Sequence, residues 1–283
     1  MSAPVHATRL VYDVASLQPY INWPYFYFAW QLRDAAEQQR GRREAEKILQ
    51  QVQGRYHAYA LFYIGEANSD GDDICFDCGV RLPMLRQQNV KAGKPNLCLA
   101  DFVRPLSSGV KDTVGMFATT VDIAMETDFD ADDYQKMMMQ LLADRLAEAA
   151  AERMHEEVRK KWWGYAPDER LTMAELHSEK FQGIRPAVGY PSLPDTSLNF
   201  LLSDALDMKR IGIRLTESGA MKPHASVSGL MIAHPAARYF DLGKIGEDQL
   251  RDYARRRRVP VEVMRRFLAA NVEERALKKN ICE

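Results

Sequence analysis

Arg185 and Tyr190 lie in the segment with the clearest chemical potential, a proline- and glycine-rich stretch from Gly183 to Pro194. Its prolines and glycines exclude a regular helix or a central strand, so the backbone should form a rigid, irregular loop. An arginine on such a loop can clamp a carboxylate with two parallel hydrogen bonds, and Gly189 permits a ligand to approach the backbone closely. A small-molecule site and a tight turn with a surface arginine both fit these residues. On the residues alone, the turn is favoured.

Other reactive residue types form no recognisable catalytic or metal-binding pattern. Cys75 and Cys78 make a CxxC pair, but Cys98 and Cys282 do not supply the second pair that a zinc knuckle needs. Reduced cysteines in a hairpin are therefore the preferred interpretation. The histidines lack metal-ligand spacing, and there is no P-loop, GxGxxG or nucleophile elbow. We expect neither a catalytic residue nor a metal ligand.

A run of four arginines, Arg255 to Arg258, ends a predicted helix. The helix dipole stabilises cations at a helix C-terminus, so a solvated face is the preferred interpretation. Docking of an acidic partner is the alternative.

The composition excludes several functional classes. Hydrophobic residues make up 46% and charged residues 27% of the chain, as in soluble globular proteins. The net charge of −1 gives no general attraction to nucleic acid or to an anionic membrane. No apolar run approaches the roughly 20 residues that span a bilayer, and residues 1–13 lack a signal-peptide stretch. We expect a cytoplasmic protein with reduced cysteines and no nucleic-acid or membrane partner.

The elements that must position the loop are predicted from hydrophobic periodicity, helix-forming composition and turn residues. The strongest helix signal runs from Ala131 to Trp163, with acidic residues at its start and basic residues at its end. The aromatic segment from Tyr20 to Trp30 should be buried. Further helices are predicted over residues 34–53, 196–206, 247–258 and 260–269, and strands over 58–64, 74–80, 114–125, 212–216 and 225–233. Because the two types interleave irregularly, we predict an α+β fold: a mixed, largely antiparallel twisted sheet with helices packed on it.

Several segments, in order, resemble the activation domain of cobalamin-dependent methionine synthase. RPAxGYP, from Arg185 to Pro191, is similar to the S-adenosylmethionine-binding loop of that family. The other matching segments are YINW (20–23), CLADFV (98–103), ADRLAE (143–148), RKKWWGYAP (159–167), LTES (215–218), ASVSG (225–229) and HPAARYF (234–240). On this basis we divide the chain into an N-terminal arm (1–17), an S-adenosylmethionine-binding domain (18–272) and a C-terminal tail (273–283).

The resemblance implies a role for each matching residue. Arg185 should hold the carboxylate of the ligand's methionine moiety. Aromatic faces suit both an adenine ring and a sulfonium cation, although core packing is an alternative role for Tyr239 and Phe240. The predicted ligand contacts are Asn22, Arg185, Ala187, Gly189, Tyr190, Tyr239 and Phe240.

Asn22 departs from the family pattern, which has an aspartate before Trp23. A carboxylate there would pair with the ammonium group of the ligand, whereas asparagine accepts a hydrogen bond without a charge. Glu148 and Glu179 resemble acidic residues near the pocket of the family, although Glu148 fits a solvated helix position equally well. Ligand binding is therefore expected to be weaker here, unless another acid substitutes.

The chemistry that the resemblance implies is a repair reaction. A flavoprotein returns one electron to an inactive cob(II)alamin, and S-adenosylmethionine methylates the cob(I)alamin formed. The protein positions the methyl donor and needs no catalytic base. The implied cofactors are S-adenosylmethionine and a cobalamin carried by a partner module, and the implied partners are that cobalamin-binding module and a flavodoxin-like electron donor.

The sequence lacks the Asp-x-His-x-x-Gly signature of cobalamin binding. We therefore expect a methyltransferase module, as an excised domain or a separate subunit, that does not turn over homocysteine alone. The alternative is a non-catalytic interaction protein that docks on a corrinoid protein or an electron donor and has lost the ligand. Binding of S-adenosylmethionine discriminates between the two.

Overall fold

Helices and strands interleave irregularly along the residues that the computed structural model describes, 4–90, 93–129 and 132–273. The strands there are β1 (Thr8–Asp13), β2 (His57–Asp70), β3 (Asp73–Phe76), β4 (Arg81–Pro83), β5 (Asp112–Val121), β6 (Arg214–Leu215), β7 (Met221–Lys222) and β8 (Ser226–Met231). The α-helices are α1 (Val14–Leu17), α2 (Trp23–Ala29), α3 (Ala35–Val52), α4 (Ala124–Thr127), α5 (Asp133–Glu157), α6 (Met173–His177), α7 (Leu198–Leu206), α8 (Glu247–Arg257) and α9 (Val261–Phe267).

One antiparallel sheet organises these elements, and β2 is its longest strand. The order is β4-β3-β2-β5-β8, and β1 also pairs with β2. The register of β2 with β5 runs from Ala58 opposite Val121 to Ala67 opposite Asp112. On its other edge β2 pairs first with β1 and then, beyond residue 66, with β3. This confirms the predicted α+β class and the hairpin of β2 and β3.

The sheet is covered on both faces, because alternate residues of its strands enter different apolar clusters. Phe62, Phe117 and Met231 face the cluster formed with α1 to α5. Leu61 and Leu230 face the cluster on the other side, which contains α7. Burial on both faces accounts for the nearly continuous apolar run of β5.

The structure corrects several predicted elements. The predicted strand 114–125 ends at Val121, and α4 follows it. The long helix ends as an α-helix at Glu157 and continues as a π-helical turn, Val158–Trp162. The predicted strand 212–216 is reduced to the two residues of β6. Ala131 lies outside the described residues.

The aromatic segment is only partly buried, contrary to expectation. Phe26 is fully buried in α2, but Tyr25 is 61% and Phe28 85% exposed. A helix has a buried and an exposed side, so its aromatic residues cannot all face the core.

The sequence predicts an arm (1–17) and a tail (273–283) at the two ends of the chain. Within the arm, β1 pairs with β2 over its whole length. Tail residues 274–283 lie outside the described range. No helix among the described residues is both long and apolar enough to cross a membrane.

Candidate functional site

The proline- and glycine-rich loop, residues 183–194, runs antiparallel beside β8 at the edge of the sheet. The backbones of Ile184 and Ile232 exchange hydrogen bonds of 2.8 and 2.9 Å, and the Val188 amide donates to the Ser228 carbonyl at 2.9 Å. Gly229 makes this approach possible, since a Cβ there would lie 2.1 Å from the Pro186 carbonyl oxygen. The first half of the loop is therefore fixed to the sheet, as the predicted rigidity requires.

Arg185 points from this loop onto α5. Its guanidinium donates to the Ala151 carbonyl and, at 3.0 Å, to Glu152 Oε2. The side chains of Arg185 and Glu152 are only 12% and 14% exposed. A guanidinium this sheltered needs a counter-ion, and Glu152 provides it. The structure thus excludes the simple surface arginine that the residues alone favoured.

Tyr190 also contacts α5, one helical turn earlier. Its hydroxyl donates to Glu148 Oε1 at 2.9 Å. Glu148 and Glu152 lie four positions apart and so share one face of the helix. Both carboxylates of that face contact the loop. Glu148 is therefore not a freely solvated helix residue.

Two further side chains surround Arg185. The Tyr239 hydroxyl accepts a 2.9 Å hydrogen bond from the Arg185 backbone amide. Burial, together with the neighbouring Glu152, raises the pKa of the Glu179 carboxyl, while Arg185 opposes the shift. The carboxyl groups of Glu152 and Glu179 therefore both lie near the Arg185 guanidinium.

A cavity of about 230 Å³ opens beside the Tyr190–Glu148 pair. It is lined by α5, the loop and the start of β8, with Asp144, Arg145 and His224 among its polar residues. Pockets that hold a whole drug-sized ligand typically measure about 300–1,000 Å³. The cavity therefore accommodates part of such a ligand, and Arg185 lies outside its lining.

The remaining predicted contacts lie on the loop, in the segment after β8, and before α2. Ala187 forms a bridge with Gly229 of β8, and Gly189 adopts a positive φ of 90° at the loop's turn. Phe240 packs, partly buried, on the apolar cluster beside α7. Asn22 precedes α2 and makes no capping hydrogen bond with its side chain. Their contact with a ligand stays a prediction.

Sequence reasoning missed Glu152, although a signal was present. Glu148 is among the acidic residues predicted near the pocket, and an acidic residue four positions later must share its helix face. Only the contact with Arg185 distinguishes Glu152 from the other acidic residues of α5.

At its centre the arginine run is not the solvated face that was the preferred interpretation, because two of its members pair with buried aspartates. Arg256 pairs with Asp73, and Arg257 pairs with Asp195 at 3.1 Å; both aspartates are 1% exposed. Arg255 is exposed and pairs with Asp252 on its own helix. Cys75, Cys78 and Cys98 are free thiols.

Comparison with known proteins identifies one family. The model of the family described as vitamin B12 dependent methionine synthase, activation domain, matches residues 13–258. A crystal structure of the MetH reactivation domain bound to AdoHcy superposes with a TM-score of 0.91 at 37% sequence identity. The match covers 96% of this chain and 92% of that one.

Proposed function

Because the chain belongs to the activation-domain family of vitamin B12 dependent methionine synthases, we propose that it binds S-adenosylmethionine and supports the reductive methylation of cob(II)alamin. The observation that carries the proposal is the pairing of Arg185 and Tyr190, on one rigid loop, with Glu152 and Glu148 on one face of α5. The cobalamin is carried by a partner module, and a flavodoxin-like protein donates the electron. A cytoplasmic setting, with reduced cysteines, is part of the same proposal.

The charges around the loop suit this ligand. S-adenosylmethionine carries a carboxylate, an ammonium group and a sulfonium, and so has a net positive charge. Arg185 supplies the donors for the carboxylate. Glu148, Glu152 and Glu179 supply an acidic surrounding for the two cationic groups, and the rings of Tyr190 and Tyr239 offer faces to the sulfonium or the adenine.

One buried atom supports the fit independently of the charge balance. Oε1 of Glu152 is buried and has no hydrogen-bond partner among the described residues. A buried acceptor left without a donor costs roughly 1–3 kcal/mol. The ammonium and carboxylate groups of an amino acid share one carbon, so a ligand carboxylate on Arg185 brings an ammonium donor close to this oxygen. Glu152 is thus a candidate for the acid that substitutes for the aspartate missing at Asn22.

The protein's part in the reaction is to bind and orient. Cobalamin, when bound on the partner module, supplies the cobalt nucleophile that takes the methyl group. Arg185 and the glutamates fix the methionine end of the donor, and the loop and Tyr190 fix its orientation. No side chain needs to remove a proton.

The test is a calorimetric titration of the chain with S-adenosylmethionine. The parent should bind, and Arg185→Lys should lose about ten- to a hundredfold in affinity, because one ammonium replaces a two-pronged donor. Lysine keeps a counter-ion for Glu152, which alanine would not. Arg153→Lys on α5, where the arginine pairs with Glu157, is the matched control.

Two outcomes would contradict the proposal in different ways. A parent chain that gives no binding heat supports the alternative, an interaction protein that docks on a corrinoid protein and has lost the ligand. Equal affinities of Arg185→Lys and the parent would remove Arg185 from the site while leaving ligand binding intact.

A further inference from the structure

Helices α8 and α9 belong to a C-terminal unit, residues 242–272, that forms a third apolar cluster together with Leu85. Leu242, Leu250, Tyr253 and Leu268 are buried in it. Its contacts with the rest of the chain are largely polar. Arg256 and Arg257 lie at this junction. These neighbouring side chains pair with buried aspartates in two separate parts of the molecule, Asp73 at the start of β3 and Asp195 after the loop.

Asp195 accepts an unusually complete set of hydrogen bonds. Oδ2 accepts from the Tyr253 hydroxyl at 2.7 Å, from Arg257 at 3.1 Å and from the Ser197 hydroxyl at 2.9 Å. Oδ1 accepts from the Ser197 amide at 2.9 Å. Asp195, Ser197 and Tyr253 are each at most 3% exposed, and the Arg257 side chain is 4% exposed. This network is sheltered from water, so losing one member is costly.

Asp195, at the centre of this network, directly follows the second half of the loop in the chain. Within that half, the Gly189 amide donates to the Leu193 carbonyl and the Leu193 amide to the Tyr190 carbonyl, each at 2.8 Å. The C-terminal unit adds one bond, from the Leu242 amide to the Pro191 carbonyl at 3.0 Å. β8 fixes the first half of the loop, which carries Arg185, whereas the C-terminal unit fixes the half that carries Tyr190.

We infer that Asp195, held by Tyr253 and Arg257 of α8, is a positioning residue that fixes the turn from Gly189 to Leu193 for ligand binding. The inference rests on the proposed function for the identity of the ligand. The C-terminal unit then contributes to the site without touching it. A loop already held in its binding conformation loses less entropy when the ligand arrives.

The neighbouring arginine provides a control, because it also pairs with a buried aspartate, but with one that does not adjoin the loop. Arg256→Gln and Arg257→Gln each remove a cation from a buried aspartate, one residue apart on the same helix. Asp73 keeps Arg81 as a partner at 2.5 Å, and Asp195 keeps Tyr253 and Ser197. Because Asp73 keeps a cation and Asp195 keeps only neutral donors, Arg257→Gln should lose more stability than Arg256→Gln. Only Arg257→Gln should release the turn, and exchange of the Leu230 amide, which bonds to the first half of the loop, separates that local release from the general loss.

The experiment combines titration with S-adenosylmethionine and amide hydrogen exchange on the full chain. Arg257→Gln should bind roughly three- to tenfold more weakly, the cost of ordering one or two extra side chains, whereas Arg256→Gln should bind like the parent. The amides of Gly189 and Leu193 should exchange faster in Arg257→Gln alone. The Leu230 amide, bonded to Pro186 in the first half of the loop, should not change.

Tyr253→Phe provides a second test if Arg257→Gln fails to fold. It removes only the hydroxyl and keeps the apolar cluster filled, so the same exchange pattern is expected at smaller amplitude. Arg257→Lys should restore part of the affinity. The inference is overturned if the Gly189 and Leu193 amides exchange equally fast in the Arg256→Gln and Arg257→Gln variants. It is also overturned if their exchange changes in neither variant. If the parent fails to bind the ligand, the proposed function fails, and exchange at Gly189 and Leu193 still decides whether Asp195 positions the turn.

Discussion

Arg185 has two roles. Its sheltered guanidinium needs a counter-ion, and the same guanidinium is proposed to bind the ligand. Glu152 neutralises the charge, and the Ala151 carbonyl orients the fork. Removing either member would leave a sheltered charge unpaired, at a cost of about 3–5 kcal/mol when such a pair is fully buried. Substitutions at this pair therefore test ligand binding cleanly only when they keep the charge.

Asn22→Asp is expected to strengthen binding of S-adenosylmethionine. An ionised acceptor holds an ammonium group better than an amide oxygen, by about 1 kcal/mol, or roughly fivefold in affinity. Asn22 precedes α2 as its N-cap, where a carboxylate interacts favourably with the first-turn amides. This placement offsets the desolvation of the new charge, and thermal melts measure the balance. If titration shows no gain, an acid such as Glu152 already serves the ammonium group.

Glu179 should make the stability of the protein depend on pH. Its pKa is raised above the ordinary 4.5, first by burial and then by Glu152. Between 4.5 and the raised value the native state binds more protons than the unfolded state, so stability falls as pH rises through that window. Glu179→Gln removes this loss. Urea denaturation from pH 4 to pH 8 should show the variant gaining on the parent as pH rises, and a constant difference would contradict the assignment.

At the scale of elements, α5 connects the core with the site. One side of this helix is buried against the sheet, with Met138, Leu142 and Leu146 fully enclosed. Another side presents Glu148 and Glu152 to the loop. Its C-terminal extension is held by Arg159, which is fully buried and pairs through two nitrogens with Glu169 at 2.7 and 2.9 Å.

Glu169→Gln should destabilise the fold strongly, because it leaves the Arg159 guanidinium buried without an anion. The expected loss in the free energy of unfolding is about 3 kcal/mol. Chemical denaturation measures it, with Glu46→Gln as control. The Arg42–Glu46 pair is exposed on α3, and such pairs contribute less than about 1 kcal/mol. Similar losses in both variants would contradict the role given to the buried pair.

At the scale of the whole molecule, three apolar clusters are joined by polar and ionic contacts. Two clusters lie on opposite faces of the sheet, and the third belongs to the C-terminal unit. The loop lies where the sheet edge, α5 and this unit meet. Such a junction suits a binding module, because elements from different parts of the chain hold it in place.

The purified chain should form no methionine from homocysteine and methyltetrahydrofolate, with or without cobalamin. The reason is that the site proposed here is assigned to a methyl donor, whereas homocysteine and the folate have no proposed site in this chain. The assay is methionine formation by the chain alone, with a complete methionine synthase as positive control. Turnover by the chain would refute its assignment as a dependent module.

The sequence by itself determined the class of the fold and the identity of the loop. Periodicity located α5, and helix-forming composition and the position of Pro260 indicated α3 and α9. The helices α7 and α8 were also predicted, because such signals are local in the sequence. The prolines and glycines of residues 183–194 excluded regular structure, and the motif from Arg185 to Pro191 indicated the family. Helix and strand ends were less predictable: β5 stops at Val121 although apolar residues continue into α4.

Only the tertiary structure decided which charges act as partners. Glu152, Asp73 and Asp195 look like ordinary acidic residues in the sequence, and their roles depend on arginines 33, 183 and 62 positions away. The arginine run appeared solvated for the same reason, since the helix that carries it gives no sign of what packs against it. Electrostatic pairing acts through space, whereas periodicity records only what is near along the chain.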